Sequence, residues 1–173
     1  MRLIGSLFTL CCAFASLAAG QSLAPRPEDV GTIDGIIRAF YDVISGPAGQ
    51  PRQWQRDSTL YIPGVRFVAM SERDGRPSAA VMDHGKFVAS YNRAFVERGF
   101  FEREIHRVTK RFGNIVHAFS AYEYRATENG PVLGRGVNSI QLYWDGTRWW
   151  IAGATWDDER PGNQIPADLL PPR

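Results

Sequence analysis

A chain of 173 residues, 44% hydrophobic and 22% charged, suffices for one domain with a substantial core and is short for two. Its 20 basic and 18 acidic residues give a net charge of +2, with no basic run or basic amphipathic helix, so nothing in it is built to grip nucleic acid or an anionic membrane. Both cysteines, Cys11 and Cys12, sit in the apolar N-terminal stretch, so a chain processed beyond them has no disulfide, thiolate metal site or cysteine nucleophile.

Residues 1–20 have the three parts of a signal peptide. Arg2 supplies the positive start, Leu3 to Ala15 the apolar centre, and Ser16, Ala18, Ala19 and Gly20 the small residues that a signal peptidase requires. Cleavage after Gly20 leaves Gln21 at the new terminus, and cleavage after Ala18 fits almost as well. An uncleaved anchor is the competing reading, but the run is short and ends in small side chains. The expected destination is outside the cytoplasm, in the periplasm or beyond, with no membrane association after cleavage. Residues 21–27 read as a leader with no core to join.

From Glu28 the apolar residues Ile33, Ile36, Ile37, Phe40, Tyr41 and Ile44 recur at helical spacing. Asp29 or Thr32 can cap that helix, and Ser45-Gly46-Pro47 stops it. A short helix or turn is expected over 54–60, then a turn at Pro63-Gly64. The period then becomes that of strands: Val65–Ser71, a turn within 72–77, and Ser78–Met82. Asp83 caps a further helix, with Phe87, Val88, Tyr91, Phe95 and Val96 on one face and Gly99 as its stop. Three β segments follow, at 101–112, 115–127 and 136–157, and Asp145-Gly146 divides the last into two strands. Residues 161–173, with four prolines, form a tail or a strap over the surface.

Helices, a hairpin, another helix and a four-strand meander make an α+β domain over 28–160, with the helices on one face of a curved sheet. The order and the wording resemble the NTF2-like superfamily, and its SnoaL-like or DUF4440-like bacterial members in particular. The residues that carry the resemblance are Ile37-Arg38-Ala39-Phe40-Tyr41, the run from Gly99 to Ile105, Phe112-Gly113-Asn114, Asn138-Ser139-Ile140-Gln141-Leu142, and Asp145-Gly146 followed by Arg148-Trp149-Trp150-Ile151. The resemblance spans about Glu28 to Glu159. It implies an NTF2-like cone: a curved mixed or antiparallel sheet wrapped around N-terminal helices, with a central pocket. It implies no single activity, because such folds carry isomerases, dehydratases, epoxide hydrolases, binding modules and scaffolds.

Hairpin registers assign the faces. A two-residue loop at Asp145-Gly146 sets Leu142 against Trp149, Ile140 against Ile151 and Asn138 against Gly153. The buried face is then Ile140, Leu142, Trp149 and Ile151, with Asn138, Thr155 and Asp157 at its polar end, as pocket residues or as caps of strand ends. Tyr143, Trp150 and Trp156 fall on the opposite face and need cover, which a symmetric homodimer or the proline-rich tail can supply. A tight turn at Gly113-Asn114 gathers Glu102, Glu104, His106, His117 and Glu123 on one face, as a proton-relaying cluster or as a surface stitched by ion pairs; a β-bulge in the first strand would change this pairing.

Two functions fit these residues. One is an exported protein binding a small, largely apolar molecule or a partner chain, with Tyr41, Trp54, Asn138 and Thr155 as ligand contacts; Tyr41 and Trp54 fit core packing equally. The other is a cofactor-independent isomerase, dehydratase or cyclase of the SnoaL type, with Glu104, His106, His117 and Asp157 as acid–base candidates. Neither reading calls for a cofactor or a metal. The histidines show no His-x-His or Glu-x-x-His spacing, Gly134-Arg135-Gly136 leads into a strand instead of a helix, and there is no Gly-x-Ser-x-Gly elbow.

Overall fold

The computed structural model describes residues 23–172. The expected signal peptide, both cysteines and the first leader residues lie outside them.

The first helix divides in two. Helix α1 covers Pro27–Val30 and α2 covers Ile33–Asp42. The break falls at Thr32, whose extended backbone (φ −136°) lets its hydroxyl accept from the Gly35 N–H at 2.9 Å, so Thr32 is the cap of α2. Ile36, Ile37, Ala39, Phe40 and Tyr41 bury the inner face of α2. The loop beyond it is pinned by Arg52, only 5% exposed, whose guanidinium donates to the carbonyls of Gly46, Gln50 and Phe95. Helix α3, Trp54–Ser58, carries the fully buried Asp57. Its carboxylate accepts from the Tyr61 hydroxyl at 2.6 Å and meets His84 Nε2 at 2.7 Å, which ties α3 to the start of α4, His84–Arg98. Asp83 caps α4 through the Lys86 N–H.

Six strands form one mixed sheet in the order β2-β1-β6-β5-β4-β3. They are β1 Tyr61–Arg73, β2 Arg76–Met82, β3 Phe101–Phe112, β4 Ile115–Arg125, β5 Gly134–Trp144 and β6 Trp149–Asp158; β1 and β6 run parallel, the other pairs antiparallel. Pro63-Gly64 is not the expected turn. It lies within β1, where the register against β6 slips between Tyr61 and Arg66. The turn expected within 72–77 is Asp74-Gly75, both at positive φ, the two-residue form that matches the twist of a hairpin.

Two local irregularities decide which side chains face inward. At the β5–β6 turn the loop is four residues long, because Asp145 Oδ1 accepts from the Thr147 and Arg148 N–H groups and holds the chain open; Trp144 then pairs with Trp149. That is a slip of two residues from the expected register, so Ile140, Leu142, Trp149 and Ile151 still share the buried face. A bulge at Ala152 adds one residue to β6. Beyond it every side chain changes face, so Ala154, Trp156 and Asp158 turn inward while Thr155 and Asp157 turn outward.

The second irregularity is a bulge at Ile105. Phe112 pairs with Ile115, Lys110 with His117 and His106 with Ala121, as the sequence leads one to expect, but Glu104 then meets Tyr122 and Glu102 meets Tyr124. The expected cluster is therefore divided: Glu102 and Glu104 face the helices, and His106, His117 and Glu123 face away. On that outer side His117 Nε2 lies 2.8 Å from Ser139 Oγ, and Arg103 and Arg125 both pair with Glu123 at 2.6 Å. The tail returns over the same side. Glu159 accepts the Ile165 N–H, and a single 3₁₀ turn, Ala167–Leu169, packs against β3 and β4.

Candidate functional site

Between the sheet and the helices lies a cavity of about 250 Å³. Its apolar wall is aromatic. Helix α4 contributes Phe87, Tyr91 and Phe95 from one face, at the four-residue spacing that aligns side chains on a helix. Phe95 stacks on Phe100 at 4.1 Å between ring centroids, and Phe87 lies 4.9 Å from Phe67 and 6.0 Å from Trp156. Phe40, Ile44 and Tyr61 complete the apolar wall. An apolar cavity of 150 Å³ already admits benzene, so this one has room for a substituted single ring.

The polar groups converge from three strands: Glu102 on β3, Asn138 on β5 and Asp158 on β6. Asn138 is 3% exposed and directs its side-chain nitrogen to the Tyr41 hydroxyl at 3.2 Å and towards Glu102 Oε1 at 3.5 Å. Burial pushes the Glu102 carboxyl up to about 8; the Asn138 hydrogen bond opposes the shift and the negative charge of Asp158 adds to it. Glu102 is thus a neutral acid at pH 7, able to donate a proton or a hydrogen bond to whatever occupies the cavity.

Asp158 is exposed, and the buried Tyr122 hydroxyl donates to it at 2.6 Å. Tyr122 reaches it by lying across β5, which has glycine there: a Cβ on Gly136 would sit 2.3 Å from the Tyr122 hydroxyl, and one on Gly134 would sit 2.4 Å from that of Tyr124. Burial, then the neighbouring Asp158, holds the Tyr122 phenol far above its ordinary range. It is therefore a protonated hydrogen-bond donor to Asp158 at neutral pH.

The expected site residues fall in three places. Asn138 lines the cavity, and Tyr41 and Glu104 lie on the helix-facing side, linked to it by hydrogen bonds. Trp54 stands behind the aromatic wall, 6.1 Å from Phe87 and 6.5 Å from Phe95, with its indole N–H on Asn92 at 2.7 Å. His106, His117, Thr155 and Asp157 are on the far side of the sheet, Asp157 bound to Arg160 at 2.6 Å. Trp156, expected outside, lines the cavity. Tyr122 and Asp158 are absent from the sequence-based site, and Glu102 enters it only as a member of the ionisable cluster that the bulge at Ile105 divides. A signal for Tyr122 does exist: two glycines at alternate positions of one strand, 134 and 136, beside a strand with tyrosines at alternate positions, 122 and 124, mark side chains lying over a bare backbone. Among the described residues no three His, Cys, Asp or Glu side chains are grouped to hold a metal, and no helix is long and apolar enough to cross a membrane.

No family model and no curated protein matches the chain. Solved structures do. The beta subunit of a proposed aromatic-ring-hydroxylating dioxygenase from Novosphingobium aromaticivorans DSM 12444 is 17% identical, over 81% of this chain and 92% of its own, with a TM-score of 0.50. An NTF-2 like protein of unknown function from Silicibacter pomeroyi DSS-3 is 13% identical over 75% of this chain and 94% of its own, with a TM-score of 0.49. One from Methylobacillus flagellatus KT is 12% identical over 75% and 95%, with a TM-score of 0.48. At such identities the likeness is one of fold, and a curved mixed sheet closed over N-terminal helices around a central cavity gives this chain the NTF2-like fold.

Proposed function

We propose that this chain is an exported NTF2-like binding domain that takes a small, largely apolar ring molecule into its cone. The observation that carries the reading is the cavity itself: an aromatic wall with a few convergent polar groups is the composition of small-molecule sites. Native mass spectrometry of the purified mature protein, before and after extraction with organic solvent, tests it. A retained mass lost on extraction supports it; no retained mass, together with no change in tryptophan fluorescence on titration with small aromatic compounds, refutes it.

One observation favours a second reading, cofactor-independent acid–base catalysis. Glu102, held neutral, and Asp158, at the same cavity, offer an acid and a base to one ligand. Deuterium exchange at the carbon next to a ring ketone's carbonyl, abolished by Glu102→Gln and Asp158→Asn, is the outcome this reading requires.

Export rests on the charged, apolar and small-residue pattern of residues 1–20, and N-terminal sequencing of periplasmic or secreted protein should begin near Gln21. As partner we propose a second copy of the chain. Phe112, Ile115, Tyr143 and Trp150 are successive register partners across β3, β4, β5 and β6 and form an apolar row on the outer face, with Phe112 84% and Ile115 60% exposed. Trp156 plays no part in this surface, because the bulge at Ala152 turns it inward.

A further inference from the structure

The cavity acid Glu102 and the partly exposed Glu104 are the two ends of one hydrogen-bonded chain. Ser120 Oγ donates to Glu104 Oε1 at 2.6 Å. A hydroxyl has one proton, so the 2.6 Å contact between Ser120 Oγ and the Tyr41 hydroxyl must be filled by the proton of Tyr41. The Tyr41 oxygen is left as an acceptor, and Asn138 meets it with its amide nitrogen at 3.2 Å, the other N–H pointing towards Glu102 Oε1 at 3.5 Å. Tyr41 and Asn138 are each 3% exposed and Ser120 is fully buried, so bulk water is no substitute for the links among these three. Reversing one link alone would leave two oxygens facing each other at 2.6 Å without a proton between them.

The direction of the whole chain is therefore set at the end that can only accept, the Glu104 carboxylate. Glu104 sits in a shallow cleft between α2 and β3 with Asp34, Arg38, Asp42, Arg103 and Arg107, and Tyr41 and Glu102 also reach its floor. Arg107 Nε lies 3.7 Å from it, and Arg107 also pairs with Asp34. On the cavity side Glu102 has Asp158 of β6 and the phenols of Tyr122 and Tyr124 as its ionisable neighbours.

We propose that Glu104 is a positioning residue for the cavity: through Ser120, Tyr41 and Asn138 it makes Glu102 Oε1 an acceptor, leaving Oε2 to carry the proton, so that the site selects apolar ring molecules bearing a carbonyl or other acceptor oxygen. The selectivity rests on the cavity being a ligand site; the direction of the chain does not. Asn138 is the switch, because its amide presents either donors or an acceptor to Tyr41 according to which way it is turned. In Glu104→Gln the new amide can donate to Ser120, and the chain is free to reverse. In Ser120→Ala Tyr41 loses its acceptor and turns its proton to Asn138.

The test uses two ligands of the same shape, acetophenone and α-methylstyrene, which differ by a carbonyl oxygen against a methylene. Calorimetric titration should show the wild type preferring acetophenone by about tenfold, the scale of one buried hydrogen bond. Both Glu104→Gln and Ser120→Ala should reduce that ratio to about twofold or less. Arg107→Met, which leaves Glu104 and Ser120 in place, should keep it. In the absence of ligand, the Asn138 side-chain amide signals should shift in both variants, with loss of the contact between the amide protons and the Tyr41 ring. Variants that lose thermal stability but keep the ratio and the Asn138 signals would overturn the proposal and leave Glu104 a structural role only. If the wild type binds neither ligand, the cavity is no site for rings of this size; the Asn138 signals then decide the direction of the chain by themselves, and unchanged signals in both variants refute it.

Discussion

Glu102→Gln separates the cost of a buried acid from its use. The carboxyl is moved from 4.5 to about 8, chiefly by burial. The folded state thus holds this proton to higher pH than the unfolded chain does. Below about pH 4.5 both states are protonated and Glu102 adds nothing to the pH dependence; between about 4.5 and 8 only the folded state is protonated, so stability falls as pH rises. One pKa unit corresponds to about 1.4 kcal/mol, so the full displacement amounts to about 5 kcal/mol, of which about 3 is lost by pH 7. Water reaching the carboxyl through the cavity mouth reduces this, and we expect a difference of about 2–4 kcal/mol at pH 8.5. Glutamine keeps an oxygen for the Asn138 amide and does not ionise. Urea denaturation of both proteins at pH 5, 7 and 8.5 should show near-equal stability at pH 5 and a growing advantage for the variant above it. Parallel pH profiles for the two proteins would refute the reasoning, because they would mean that Glu102 titrates alike in the folded and unfolded chains.

Gly136→Ala sets a Cβ 2.3 Å from the Tyr122 hydroxyl and 2.6 Å from the Asp157 carbonyl, so the phenol must leave Asp158. A loss of about 1–3 kcal/mol, the usual cost of overpacking, is expected in the same denaturation assay, and an unchanged stability would mean that the ring has room to move. Trp149→Ala removes a side chain that is 5% exposed and packs 5.7 Å from Trp144, and should cost about 3–5 kcal/mol. Light scattering should give a dimer for the mature chain and a monomer for Ile115→Lys; a wild-type monomer that dimerises only when the chain ends at Arg160 would make the tail the cover of the outer face.

The sequence determined the elements and most of the core. The spacing of Ile33, Ile36, Ile37 and Phe40 requires a helix; Asp83 and Gly99 bracket another; alternation on 140–151 selects a buried strand face, because a helix or strand that must hide one side shows its period in the chain. Residues whose burial follows from that period, such as Ile140, Leu142, Trp149 and Ile151, were legible; so was the cap Asp83, and Thr32 as one of two candidates.

The site was legible only in part. Asn138 precedes the bulge at Ala152 and keeps its face; Thr155, Trp156, Asp157 and Asp158 follow it and exchange theirs. The bulge at Ile105 does the same for Glu102 and Glu104 against His106. A single extra residue in a strand leaves the local pattern of apolar and polar positions readable, yet reverses every later side chain. Which strand takes the extra residue depends on how six strands must curve together over α2 and α4, a property of the assembled sheet that no segment of the sequence carries alone.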